Sequence, residues 1–161
     1  MFEHERKLFG LMLRYTRKLT SDLTDEQFSQ LPVPTMNPPV WIMGHLATVN
    51  DFGLQIAGRE FQCPKAWHAD FGPNSQPLQY QSGVAPTKAE LMTAFERGHA
   101  DLDAVVSSVP ADVLAERQPL DFLRPHVETL GELLSHLMTT HIAIHLGQLS
   151  AWRRTMGLPA V

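Results

Sequence analysis

The sequence has a single cysteine, Cys63, no long apolar run and no cluster of basic residues. One cysteine cannot form a disulfide framework within the chain, so a reducing compartment, the cytoplasm, is expected. No stretch approaches the roughly 18 apolar residues that a membrane span needs, and the N-terminal segment MFEHERKLFG is unlike a signal peptide. The 13 Lys and Arg against 17 Asp and Glu give a net charge of −4, which argues against nucleic acid or an anionic membrane as the partner.

Histidine is the residue that the chain has in excess. Hydrophobic residues make up 43% and charged residues 19% of the 161 residues, which is enough for a full core in a single domain spanning residues 1–161. Eight histidines are more than a domain of this size needs for packing. Their positions on the predicted elements therefore decide the functional prediction.

Helical periodicity marks four long segments, and no segment shows a convincing strand alternation. Asn37 is a good N-cap for the second helix, with Pro38 at its first helical position and Gly58 at its end. Capping boxes that begin at Thr87 and Thr129 open the third and fourth helices. The predicted helices are residues 4–19, 37–58, 87–108 and 129–156.

A long crossover, residues 58–86, separates the second and third predicted helices. Loops beyond about 15 residues are uncommon in compact domains unless they are functional or disordered. This one is rich in proline but also carries aromatic side chains that a disordered linker rarely has: Phe61, Trp67, Phe71 and Tyr80. We therefore predict an ordered crossover that covers the site as a lid or shields a helix seam. Four long helices and one crossover predict an all-α fold, a four-helix bundle.

Three histidines are predicted to point into the bundle. His141 and His145 are four residues apart on the most apolar helix, an offset of about 40° that places both rings on one face. This spacing lets two imidazoles bind one metal ion. His45 lies on the apolar face of the second helix, four residues after Trp41, and sites in bundles are built from facing helices. A buried histidine is also a common structural residue, so this alternative stays open.

The other five histidines share no such geometry. His136 precedes His141 by five residues, about 140° around a regular helix, and is predicted to face elsewhere. The remaining histidines are predicted to lie on the surface, although a loop could fold His68 or His126 over a metal site: His4, His68, His99 and His126.

Two segments together resemble a known family. Residues 41–46, WIMGHL, and residues 141–149, HIAIHLGQL, followed by Arg153 and Arg154, resemble the DinB-like (DinB/YfiT) superfamily of metal-dependent four-helix bundles. The resemblance covers nearly the whole chain. It implies an up-up-down-down bundle, a homodimer, and a divalent metal ion held by three histidines. By position in the motifs, these ligands are His45, His141 and His145.

The resemblance also implies a chemistry for the site. Related proteins include thiol-dependent S-transferases, a thiol-dependent isomerase and metal-dependent hydrolases. Three neutral imidazoles leave a zinc or nickel ion its full charge and an open position, where it can activate a low-molecular-weight thiol or water against a small-molecule substrate. The competing hypothesis is a non-enzymatic dimeric bundle in which the metal or the histidines only stabilise the fold.

Several residues near the ligands are candidates for supporting roles. Ile142 stands where the helix of a zinc protease carries glutamate, so the motif supplies no general base. Gln148 either orients water or substrate or only packs, and Trp41 belongs to the core or to a pocket wall. Asn50 is a candidate to orient an imidazole. Cys63 is expected to be an ordinary buried thiol rather than a fourth ligand.

Overall fold

The computed structural model describes residues 1–73, 75 and 85–161. Within these residues the regular secondary structure is helical, apart from one isolated bridge between Arg117 and Thr129. The predicted all-α fold class is therefore confirmed. Tyr80 of the predicted crossover lies outside the described residues. None of the helices described is long and apolar enough to cross a bilayer.

Eight α-helices make up this part of the chain. They are α1 (Glu3–Thr20), α2 (Asp25–Phe28), α3 (Pro39–Ile56), α4 (Lys65–Asp70), α5 (Lys88–Val105), α6 (Ala111–Leu114), α7 (Leu130–His136) and α8 (Ile142–Thr155). A π-helical segment, Leu137–His141, joins α7 to α8. The fourth predicted helix is thus present, but it contains a change of helical pitch that its sequence does not announce.

The helix starts follow local hydrogen bonding. At Thr87 and at Thr129 the threonine hydroxyl accepts the amide of the third helical residue, and the glutamate there accepts the threonine amide in return. The predicted capping boxes are confirmed. The N-cap of α3 is Pro38 and not Asn37, because Pro39 occupies the first helical position, where a missing amide hydrogen costs nothing.

The four long helical units pack in a closed ring. Helix α1 contacts α5 and α8, and α3 contacts the same two helices from the opposite side, with its most extensive contact on α5. Helix α3 is buried on almost every face, as expected for a helix that is apolar all round. It is therefore the element around which the core, and any site in the core, is organised.

His99 on α5 lies in the core and not on the surface, so that prediction was wrong. Its Nε2 donates a hydrogen bond to the backbone oxygen of Phe9, 3.0 Å away, and its ring stacks on that of Phe9 with centroids 3.6 Å apart. Burial lowers the pKa of His99. The face that looked mixed in the sequence is covered by α1, a contact that local periodicity cannot reveal.

A buried arginine joins the C-terminal ends of α1 and α8. The Arg153 guanidinium donates to the backbone oxygens of Leu19 and Pro159 and to both carboxylate oxygens of Asp22. Arg153 is 2% exposed, whereas Asp22 is 44% exposed. The pair is therefore intermediate between a surface ion pair and a fully buried one.

Asp22→Ala is expected to lower the free energy of unfolding by about 2 kcal/mol, between the values typical of exposed and buried pairs. Hydrogen bonds from Arg153 lower the pKa of Asp22. The stabilisation is therefore present above the ordinary aspartate pKa of about 3.9 and is lost as the pH falls through the lower folded-state value. Urea unfolding at neutral pH measures the change. Asp103→Ala, which breaks the exposed pair with Arg6, is the control and should cost less than about 1 kcal/mol.

Candidate metal centre

His45 on α3, His141 at the end of the π-helical segment and His145 on α8 come together inside the bundle. The ring centroid of His145 lies 4.6 Å from that of His45 and 4.6 Å from that of His141. The centroids of His45 and His141 are 5.2 Å apart. One ring nitrogen from each residue lies within 4.8 Å of the others. Within residues 1–73, 75 and 85–161, no other group of three or more His, Cys, Asp or Glu side chains is close enough to hold a metal ion.

Hydrogen bonds fix the orientation of two of the three rings. His45 Nδ1 lies 2.7 Å from the backbone oxygen of Phe71, which can only accept, so this nitrogen carries the proton. His145 Nδ1 donates to Oε1 of Gln148 at 3.2 Å. Bonds of this kind set the tautomer of a metal-binding imidazole and leave its Nε2 lone pair available.

The donor set fits a divalent ion. His45 Nε2 and His141 Nε2 are 3.3 Å apart, and a tetrahedral site with Zn–N distances of about 2.0–2.1 Å separates its ligand nitrogens by about 3.3–3.4 Å. His141 Nδ1 is buried without a hydrogen-bond partner among the described residues. An unpaired buried polar atom costs about 1–3 kcal/mol, so His141 stabilises the fold less than a fully hydrogen-bonded imidazole would.

Burial also keeps the three imidazoles neutral. It is the largest cause that lowers the pKa of each ring: to about 3 for His141, to about 4 for His145, and below the ordinary value for His45. The neighbouring imidazoles lower the pKa of His141 and His145 further, because a second positive charge nearby is unfavourable. At neutral pH all three therefore present lone pairs rather than charges.

Gly44 explains why the segment WIMGHL places His45 as it does. A Cβ atom on Gly44 would lie 2.5 Å from Cγ of Phe71, whose side chain is completely buried. The missing side chain thus lets the crossover pack directly on α3. The same contact brings the Phe71 carbonyl to Nδ1 of His45.

The π-helical segment brings a further histidine to the site. His136 was predicted to face elsewhere, but its ring centroid lies 5.6 Å from that of His141 and both rings line one cavity. In a π-helix the hydrogen bonds run between residues five apart, so residues 136 and 141 fall on one face. The prediction was wrong because it assumed the regular pitch of an α-helix.

A cavity of about 470 Å³ lies beside the three histidines. Trp41 is in its wall and stacks on His45 with ring centroids 4.8 Å apart and an angle of 8° between the planes. Other wall residues come from α3, the crossover, the loop after α6 and the π-helical segment: Val49, Phe52, Phe61, Leu120, Phe122 and Leu137. Phe122 is 68% exposed, so the cavity reaches the surface beside it.

Two other predicted candidates lie away from the imidazoles. Asn50 donates from Nδ2 to the backbone oxygen of Phe95 at 3.2 Å and thereby joins α3 to α5, so it does not orient a histidine. Cys63 is a free, buried cysteine outside the histidine group. Desolvation, and then the charge of Asp51, raise the pKa of its thiol to about 12, so the thiol stays protonated.

Sequence reasoning missed the pairing of Asp51 with His68. Asp51 is 1% exposed, accepts the backbone amides of Gln62 and Cys63 at 3.0 and 2.8 Å, and lies 3.1 Å from Nε2 of His68. His68 was predicted to lie on the surface unless the loop folded it over the site, and the structure shows the second case, with a partly exposed ring that lines the cavity. Asp51 therefore anchors the crossover and orients a second imidazole beside the site. No local pattern links residues so far apart in sequence.

Fold and site define a class of protein: a helical bundle with a three-histidine cluster that opens onto an apolar cavity. The family model of the DinB superfamily matches residues 8–149. That span covers most of the chain and includes all three clustered histidines, so the chain belongs to the DinB superfamily. A search of curated proteins found no match to this chain.

Proposed function

We propose that this protein is a metal-dependent enzyme in which His45, His141 and His145 hold a divalent ion, zinc or nickel. The observation that carries the proposal is the convergence of three neutral, oriented imidazoles at the edge of a cavity that reaches the surface. Structural zinc sites are closed by four protein ligands, whereas three ligands and an open position are typical of catalytic sites. The described part of the chain offers no fourth His, Cys, Asp or Glu to the group, which favours the enzyme over the purely structural bundle.

The chemistry proposed is activation of a low-molecular-weight thiol, with water as the alternative. A divalent ion in this site supplies Lewis acidity, which lowers the pKa of a thiol or water molecule at its open position. A thiol has an ordinary pKa of about 8.5 and loses its proton more readily than water does. No carboxylate lines the described cavity to serve as a base for water, and this favours the thiol.

Two further histidines line the cavity. His68 donates from Nε2 to the carboxylate of Asp51, which holds its ring in the cavity wall. His136 lies on the same cavity wall, beside His141. The apolar remainder of the wall excludes water from around the substrate, which strengthens the electrostatic interactions that remain.

The proposal retains the further expectations from the sequence. It includes one domain over residues 1–161, the up-up-down-down order of the four long helical units, a homodimer, a small-molecule substrate and a cytoplasmic location. The contacts of α1 and α3 with both α5 and α8 are compatible with that bundle. The single cysteine supports a reducing compartment.

Metal analysis of protein purified without a histidine tag and then loaded with zinc or nickel tests the proposal. The wild type is expected to retain about one equivalent of metal after dialysis, and His141→Ala to retain almost none. His126→Ala, which removes an exposed histidine, is the matched control and should retain as much as the wild type. A wild type that cannot be loaded, or a His141→Ala variant that loads equally well, would overturn the metal site.

Gln148→Ala is expected to weaken metal binding by about tenfold, the lower end of the range for a residue that orients a ligand, because Gln148 is exposed. The variant removes the acceptor of the His145 Nδ1 proton, so the ring is free to rotate. Competition with a chromogenic chelator measures the affinity. Gln55→Ala, at an exposed glutamine on α3 rather than α8, should leave the affinity unchanged. Equal affinities of the two variants would show that Gln148 does not position His145.

A further inference from the structure

The cavity beside the three histidines has no Asp, Glu, Lys or Arg among the residues described in its wall. Its described lining residues are aromatic, aliphatic, histidine, glycine, proline and one threonine, without any Asp, Glu, Lys or Arg. Residues 74 and 76–84, the remainder of the crossover, also contain none of these four residue types in the sequence. Neither group of residues therefore contains a permanently charged side chain.

This composition restricts what the cavity can bind. A carboxylate or an ammonium group that leaves water needs an opposite charge or several hydrogen bonds to offset its desolvation. A single charged or metal-directed group can be accommodated at the three histidines if they hold a metal ion. Beyond the three histidines, the described wall offers a second charged group only Thr48, His68 and His136 as polar partners, and none where it faces Val49, Phe52 and Leu137.

We propose that the substrate that enters this cavity is a largely apolar molecule with one metal-directed group and no second charge. The inference rests on the proposed metal-dependent function and names the substrate class for that site. A volume of about 470 Å³ is within the usual range for a small-molecule pocket. Thiols that carry free carboxylates or ammonium groups are excluded as occupants of the apolar part.

Three thiols that share a head group but differ in their tails test the proposal: ethanethiol, hexane-1-thiol and 6-sulfanylhexanoate. Their binding to the zinc-loaded protein is measured by calorimetry in the presence of a phosphine reductant. Each buried methylene strengthens binding about three- to fourfold, so hexane-1-thiol should bind roughly a hundredfold more tightly than ethanethiol. The carboxylate of 6-sulfanylhexanoate should weaken binding at least about tenfold relative to hexane-1-thiol.

A cation introduced into the wall should reverse this selectivity. Position 49 lies one helical turn beyond His45 on α3, in the cavity wall. The ammonium of Val49→Lys can pair with a carboxylate in the cavity, so 6-sulfanylhexanoate should then bind more tightly than hexane-1-thiol. Val33→Lys, at an exposed valine outside the cavity wall, is the matched control and should keep the wild-type preference. Circular dichroism verifies that both variants are folded.

The possible outcomes separate the two proposals. If the protein holds zinc but binds 6-sulfanylhexanoate as tightly as hexane-1-thiol, the substrate class is wrong and the metal site stands. If the protein cannot be loaded with metal, the proposed function fails. The substrate class is then tested on the metal-free protein by comparing the thermal shifts that hexan-1-ol and hexanoate produce. A preference for the alcohol then supports an uncharged ligand, and equal or stronger binding of hexanoate overturns it.

Discussion

Zinc at a thousandfold excess over its Kd is expected to raise the free energy of unfolding of the wild type by about 4 kcal/mol, and His141→Leu to abolish that gain. The gain arises because the folded chain brings three imidazoles together, whereas the unfolded chain keeps them apart. Urea unfolding with zinc and with a chelator measures the two values. The loss of this zinc-dependent stabilisation in His141→Leu is the largest change that we expect from any single substitution at the site.

The same substitution is expected to behave differently without metal. Leucine has a volume close to that of histidine and no polar atom, so His141→Leu removes the buried Nδ1 that has no partner. The metal-free variant should therefore unfold within about 1 kcal/mol of the wild-type free energy, because the removal of the unpaired Nδ1 offsets the loss of the Nε2 contact with His45. His126→Leu, at an exposed position, should change neither value. A metal-free His141→Leu variant that is clearly less stable than the wild type would show that His141 serves the fold rather than a metal ion.

Gly44→Ala is expected to lower the free energy of unfolding by about 1–3 kcal/mol, although alanine is the better helix former. The added Cβ would lie 2.5 Å from the ring of Phe71, which is fully buried and cannot move aside without opening the core. The displaced crossover would also withdraw the Phe71 carbonyl from His45. Urea unfolding measures the first effect, and chelator competition measures the second.

Gly147→Ala is the control for Gly44→Ala, because Gly147 is the glycine of the second motif, residues 141–149, as Gly44 is of the first, residues 41–46. A Cβ atom on Gly147 would meet no heavy atom within 4 Å, so alanine should raise the free energy of unfolding by about 0.5–1 kcal/mol. In a Phe71→Ala background, the cost of Gly44→Ala should largely disappear, because the clashing ring is absent. Equal effects of the two glycine substitutions in the wild type would refute the role assigned to Phe71.

Local sequence features predicted the helices well. The capping boxes at Thr87 and Thr129 and the left-handed glycine at position 58 are each decided by a few neighbouring residues, and each is present. The face shared by His141 and His145 was predictable for the same reason, since the π-helical pitch ends at His141 and α8 continues as a regular α-helix. Whether a segment is helical, and which of its residues share an apolar face, both depend on residues within one or two turns.

Contacts between distant segments were not predictable in this way. His99 lies in the core because α1 covers it, and His68 faces the cavity because Asp51 holds the crossover there. Asn50 looked like a neighbour of His45 along the chain but points to α5. Each of these placements depends on which helix packs on which face, and one-dimensional periodicity carries no such information.

The sequence by itself determined an all-helical chain, the apolar faces of two helices that carry the three histidines, and a resemblance that the match to the DinB superfamily bears out. Only the tertiary structure decided the surroundings of those histidines: the Phe71 carbonyl on His45, the π-helical turn that adds His136, and a largely apolar cavity whose described wall has no Asp, Glu, Lys or Arg. The physical reason is that a side chain's identity and helical phase are local properties. Burial, hydrogen-bond partners and cavity walls are made by segments that meet only when the chain folds.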